Sequence, residues 1–424
     1  MALPDDSAGN SGRINAALTW LAHISGEVPP FPVRASRNQH RRWGMRASQS
    51  IWTSNGGWDK TATHCGGDAG LVLAFGAPGV IADAARWRDL HDRHPDATVL
   101  GCSTGGEIHG CEVIDESLSV TAIKFDDTEI ATAEAAVGLV GDSFAAGQSI
   151  GEQLARPNLK ALFALADGTT VNGSEFVRGL RSAIGPGVVL TGGLAGDGPR
   201  FGTTYVGLGA LPAPGRAAAV GLYGDSIRVG HGSCGGWDVF GPERRITSSK
   251  ANVLYELDGQ PALDLYKRYL GDEASQLPGS ALLFPLQIYP ADRHEQAIVR
   301  TVVGVDEAAR SMTFAGDMPE GYRAQLMRGN FDRLIQGAAT AAEQALHKTS
   351  GEQVAILVSC IGRKLLLGQR IREEVEAVQD VLGTATHLTG FYSYGEVSPH
   401  EFTGCSELHN QTMTITILSE ERRA

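Results

Sequence analysis

The sequence predicts an α/β fold of mixed sheets covered by helices. Three observations carry that expectation. Short apolar runs alternate with segments of helical spacing, hairpin-like strand pairs lie among them, and one strand–helix–strand–strand order occurs at both ends of the chain.

The first 44 residues differ from the rest. PDDSAGNSG is polar, RASRNQHRRWGMR is a basic run after Pro29, Pro30 and Pro32, and only ALTWLAHI has helical character. Residues 1–44 are expected to be a disordered or spurious extension, with Met45 as an alternative start. The other reading is a basic arm that touches a membrane or an acidic partner.

From Asp68 the pattern becomes regular. LVLAFGAP (71–78) reads as a buried strand, VIADAARWRDLHDRHP as a helix, ATVLGCSTGGEI as a strand into a glycine turn, and SLSVTAIKF as a further strand. SFAAGQSIGEQLA is helical, KALFALADG a strand, SEFVRGLRSAIG a helix, and VVLTGGLAGDG a strand into a second glycine turn. TTYVGLG and AAAVGLYG follow as strand candidates. Past residue 250, NVLYEL is strand-like and a helix starts near Pro261, a residue tolerated in a first helical turn. SALLFPLQIYP and QAIVRTVVGVD are strand candidates, and NFDRLIQGAATAAEQALHKT is the longest helix. EQVAILVSCIGRK then reads as a strand, QRIREEVEAVQDVLG as a helix, THLTGFYSYGEV as a strand and turn, and QTMTITILSE as a strand.

Composition narrows the function. A chain of 424 residues with 42% hydrophobic and 20% charged residues is an ordinary globular protein, large enough for two domains. Its 54 glycines, without a repeat period, imply many tight turns. A net charge of −12 argues against a nucleic-acid surface, and no run of about 20 apolar residues exists to span a membrane. The N-terminus lacks a secretory pattern, and six scattered cysteines suit reduced thiols in a cytoplasm.

GCSTGGEI (101–108) aligns without gaps on GFYSYGEV (390–397), pairing Gly101 with Gly390, Gly106 with Gly395 and Glu107 with Glu396. Each copy follows an apolar strand and a helix and precedes an alternating strand, so the sequence predicts an internal duplication. Glu107 and Glu396, at strand ends after glycine, can accept from an ammonium, a guanidinium or backbone amides; alternatively each ties down its own turn. The expected ligand contacts are these two, the adjoining Cys102, Ser103, Thr104, Gly106 and Gly395, and four residues of other types. Arg363 would fork onto a carboxylate, Tyr392 and Tyr394 would supply aromatic walls, and Asn410 a polar group. A zwitterion of amino-acid type fits that set.

GCSTGGEI, TGGLAGDG, NVLYELDGQPALDLYKRYLG, VSCIGRK and GFYSYGEVSPHEFTGCSELHNQTMTITILSE resemble the FIST family over most of Asp68 to Glu420. The resemblance implies an N-terminal FIST domain at 45–250, a C-terminal one at 251–424, and a cytoplasmic, non-enzymatic sensor of small ligands. With no recognisable output module, it would signal to a separate histidine kinase or cyclic-dinucleotide enzyme. Some members are haem proteins that sense nitric oxide, and His231, His109 or His409 could ligate haem here. A third reading is a cysteine-dependent enzyme using Cys102 or Cys360. A zinc site of Cys405 and His409 with His109 and Cys111 lacks the usual C-x2-C pairs. TGGLAGDG lacks the G-x-G-x-x-G order, so nucleotide binding has no motif behind it.

Overall fold

The apolar run at 71–76 becomes a strand buried along its whole length. It pairs in parallel with Thr98–Ser103 and antiparallel with Ser117–Lys124. The parallel pair is joined through the helix Ala84–Arg93, which Asp83 opens by accepting from the Ala85 N–H. That cap divides the expected single helix in two, leaving Pro78–Ile81 as a separate turn. The computed structural model describes residues 44–421 except 60–67, 139, 278, 348 and 350. The expectations for residues 1–43 and Cys65 lie outside the described residues.

The same arrangement occurs in two further places. Leu159–Ala166 pairs in parallel with Val189–Leu194 and antiparallel with Arg216–Tyr223. Gln353–Cys360 does the same with Thr386–Ser393 and Met413–Glu420. The sequence expectation named arrangements at the chain ends; the strand pairings place another between them. Equivalent backbone bonds close all three: Ala77 N–H to Ser117 O at 3.0 Å, Asp167 N–H to Arg216 O at 2.9 Å, and Cys360 N–H to Thr412 O at 3.1 Å.

Each unit also sends a short strand into a neighbour's sheet. Glu107–His109 pairs with Thr386–Ser393, Gly395–Pro399 with Val189–Leu194, and Val206–Leu208 with Thr98–Ser103. The three exchanges close a cycle. At each one a glycine faces the inner strand: Gly101 opposite Ala74, Gly192 opposite Ala164, and Gly390 opposite Leu357. A Cβ there would stand 2.5, 1.8 and 1.9 Å from the facing carbonyl oxygens, and Gly192 and Gly390 hold φ of +139° and +156°. Only glycine allows that approach. Where the first and third units meet, Phe75 and Phe391 pack with ring centroids 4.8 Å apart.

Between strands Ile227–Cys234 and Gln353–Cys360 the chain builds a β-rich layer with its own core. Its strands include Arg244–Lys250, Val253–Leu257, Leu286–Tyr289, Val302–Asp306, Ser311–Phe314 and Arg323–Gly329, with helix Ala262–Leu270 packed among them. The segment read as one strand through 364 instead ends at Cys360, and Ile361–Leu367 is a helix. Its first residues Ile361, Gly362 and Arg363 are buried, and Gly362 lies against the Gln411 side chain, where a strand continuing outward would leave them exposed. No helix among the described residues is long and apolar enough to cross a membrane.

Gly390→Ala and Gly192→Ala are expected to destabilise the protein by about 2–3 kcal/mol, from overpacking and an unsuitable φ. Gly79→Ala, at an exposed position of the helical turn Pro78–Ile81 with open space around it, should be neutral or stabilise by up to about 1 kcal/mol. Urea unfolding of the three variants checks this order.

Candidate functional site

The turn after strand Thr98–Ser103 runs through Gly105 and Gly106, the latter at φ +144°, and delivers Glu107 into the neighbouring sheet. Glu107 is fully buried. Thr104 Oγ1 donates to one carboxylate oxygen; Ser117 N and Oγ donate to the other at 3.0 and 2.7 Å. Glu396 is buried in the same way. Ser393 Oγ donates to it at 2.6 Å, and Thr412 N and Oγ1 donate at 3.1 and 3.0 Å. Each carboxylate therefore clips its own turn to the start of a strand, and neither has a free oxygen to offer an ammonium. Burial raises Glu107 to about 7 against its hydroxyl donors, and raises Glu396 to about 8.

Two clefts flank the segment 197–204. The first, about 310 Å³, is lined by Thr104, Gly105, Gly106 and Glu107 of the turn, by Asp115 and Glu116, by Gly198–Arg200, and by Ile361, Lys364 and Leu365 of the helix Ile361–Leu367. Lys364 Nζ donates to Gly105 O at 2.8 Å, pairs with Asp115, and lies 5.6 Å from the Tyr392 ring centre. Ala77 and Pro78 close the far side. The second cleft, about 280 Å³, lies between the loop Gly168–Asn172 and the β-rich layer, with Tyr394 on its wall.

Of the expected contacts, Thr104, Gly106 and Glu107 line the first cleft and Tyr394 lines the second. Cys102, Ser103, Arg363, Tyr392, Gly395, Glu396 and Asn410 line neither. Arg363 is wholly buried. It grips Glu374 through Nε at 2.8 Å and Nη2 at 2.6 Å, and donates to Gly235 O and Leu334 O. Its guanidinium is thus committed to holding two helices and a loop, which removes it from carboxylate recognition. Tyr392 Oη donates to the same Glu374 at 2.8 Å. Ser103 Oγ accepts from Tyr205 N at 2.9 Å, and Asn410 Nδ2 donates to His409 O at 3.0 Å. Gly395 is buried against Leu408 and Leu194.

Two basic residues do reach the first cleft, Arg200 and Lys364, the latter next to the one singled out from sequence. Neighbours on a helix point about 100° apart, so a burial pattern across Ile361–Leu367 was the signal that separates them. Asp115, Glu116 and Arg200 had no motif to mark them.

Cys102 and Cys360 behave as core thiols. Burial, then the nearby Glu107, pushes Cys102 well above its ordinary range; burial, then Glu396, does the same to Cys360. Both changes oppose thiolate formation. None of His109, His231 and His409 lines either cleft. His409 is buried, its ring bonded to Ser398 O at 3.0 Å, and burial lowers it to about 3. Among the described residues no group of three or more His, Cys, Asp or Glu side chains is gathered to hold a metal ion.

Family models match most of the chain: the FIST N domain over residues 70–260 and the FIST C domain over 262–399. FIST domains are associated with sensory signal transduction and small-ligand binding. No curated protein sequence matches the chain. Among solved structures, the crystal structure of a cyanuric acid hydrolase from A. caulinodans aligns over 89% of this chain and 99% of its own, at 8% identity and a TM-score of 0.34. A likeness that loose carries no argument about activity.

The two buried glutamates set a pH dependence. Each carboxyl holds its proton more tightly in the fold than at the ordinary value of 4.5, so the folded state binds more protons between that value and about 7 or 8. Stability is then greatest below pH 4.5 as far as these groups decide it, and falls as pH rises from about 5 to 8. The slope is at most about 1.4 kcal/mol per pH unit for each. Glu107→Gln and Glu396→Gln should each flatten that fall, as read from urea unfolding across this range.

Proposed function

The chain belongs to the FIST family, and on that premise we propose that it is a cytoplasmic, non-enzymatic sensor that binds a small zwitterion of amino-acid type in the cleft beside Lys364. One observation supports this reading above others: an ammonium and a carboxylate, Lys364 and Asp115, already paired over the bare Gly105–Gly106 turn in a cleft of about 310 Å³. A zwitterion inserted into that pair places its carboxylate on Lys364, with Arg200 nearby, and its ammonium on Asp115 or Glu116. The role first expected of Arg363 passes to Lys364, and that of Glu107 or Glu396 to Asp115. Glu107 keeps a part in the site by fixing the turn that forms its floor. The volume matches that of small-molecule pockets.

The readout follows from what lines the cleft. Helix Ile361–Leu367 and the turn at 104–107 come from opposite ends of the chain, corresponding to the FIST C and FIST N domains that we divide near residue 250. A ligand bridging them favours one arrangement over others, and a separate histidine kinase or cyclic-dinucleotide enzyme reads that arrangement.

Free amino acids screened by thermal unfolding and calorimetry test the proposal. At least one should stabilise the protein, by about 2.7 kcal/mol at a hundred times its Kd. Lys364→Ala and Asp115→Ala should each weaken its binding at least tenfold (about 1.4 kcal/mol), and Glu396→Gln should leave it within twofold. Absence of any stabilising amino acid, or binding unchanged in both cleft variants, would sink the proposal.

A further inference from the structure

The second cleft shares a wall with the first but has opposite chemistry. None of the described residues that line it carries a charge. Its polar groups are the neutral Thr169, Asn172, Asn252, Thr313 and Tyr394, and its most exposed aromatic surface is Phe201. Asn172 and Asn252 are held in place, the first donating to Asp317 at 3.1 Å and the second to Phe314 O at 2.8 Å.

Phe201 is held there against its own preference. It has φ +49°, a conformation that a bulky side chain adopts only when its surroundings enforce it. The enforcement is visible. Phe201 N–H donates to Tyr394 Oη at 3.2 Å, and Gly202 and Thr203 N–H donate to Asp197 at 2.8 and 3.1 Å. Tyr394 Oη in turn donates to Asp197. The result is a ring stacked on Tyr394, with centroids 4.5 Å apart and planes 15° from parallel, that still leaves 39% of Phe201 exposed. A strained backbone that presents an aromatic ring to a cavity is the arrangement of a ligand clamp.

We propose that this cleft is a second ligand site, taking an uncharged planar heterocycle that stacks on Phe201 and hydrogen-bonds to the amide and hydroxyl groups opposite. Stacking needs only a π-face, and the fixed amides supply directional contacts. An anionic or cationic ligand would enter without a compensating charge, so neutrality is the selecting feature. The ligand's presence is also communicable, because Gly198–Arg200 line the first cleft and Phe201 the second.

The test uses the full chain with uracil, adenine and nicotinamide, followed by ligand-observed NMR and calorimetry, and orotate as the charged counterpart of uracil. At least one neutral probe should bind with a Kd below about 1 mM. Phe201→Ala should weaken it at least tenfold, and so should Val303→Asp, which places a charge on the exposed part of the cleft wall. Lys364→Ala, in the other cleft, should leave this affinity within twofold, which separates the outcome from that of the amino-acid screen. Both changed positions are surface ones, and unaltered thermal unfolding without probe confirms that the variants fold. No binding by any neutral probe, orotate binding as tightly as uracil, or affinity unchanged in both cleft variants would each overturn the proposal.

Discussion

The structure depends on main-chain hydrogen bonding between units that are distant in sequence. A parallel strand pair exposes the unsatisfied edge of its outer strand, and such an edge must be covered or paired. Here each outer strand is completed by a short strand from a different unit, in a closed cycle. The glycines at these crossings follow from the same requirement, since the backbone there approaches the facing strand too closely for a Cβ. The turns that hold the clefts are the stretches between an outer strand and its exported partner, so the site's geometry is a by-product of how the edges are satisfied.

Within this frame the buried carboxylates act as clips. Glu107 and Glu396 each gather a hydroxyl three residues earlier and the N–H and hydroxyl of a later Ser or Thr. Glu420 does related work at the last strand, accepting from the N–H groups of Asp126, Asp127 and Thr128 at 2.7, 2.9 and 2.6 Å. These carboxylates satisfy main-chain donors that would otherwise be buried and unpaired, a larger penalty than a typical hydrogen bond repays.

Much of the fold was legible because its signals are local. Buried strands such as LVLAF and VAILVSC read as apolar runs, whereas the Asp83 cap divides a segment that reads as one continuous helix. The site was less legible, for a physical reason. Arg363 and Lys364 are indistinguishable as neighbouring cations until the helix is built and Glu374, eleven residues away, claims one of them. Asp115 and Arg200 reach the cleft only through pairings that no local pattern encodes. Tyr392 and Tyr394 looked alike as aromatic walls, yet one is sealed against Glu374 and the other lines a cleft.

The cyclic strand exchange also bears on how the protein is made. Strand Glu107–His109 is synthesised long before its partner Thr386–Ser393, which lies far later in the sequence. At ordinary translation speeds that interval is on the order of tens of seconds. Throughout it the nascent chain carries an unpaired segment and an outer strand still lacking part of its neighbour. The ring closes only once Thr386–Ser393 has been made, so its last step joins strands far apart in the sequence.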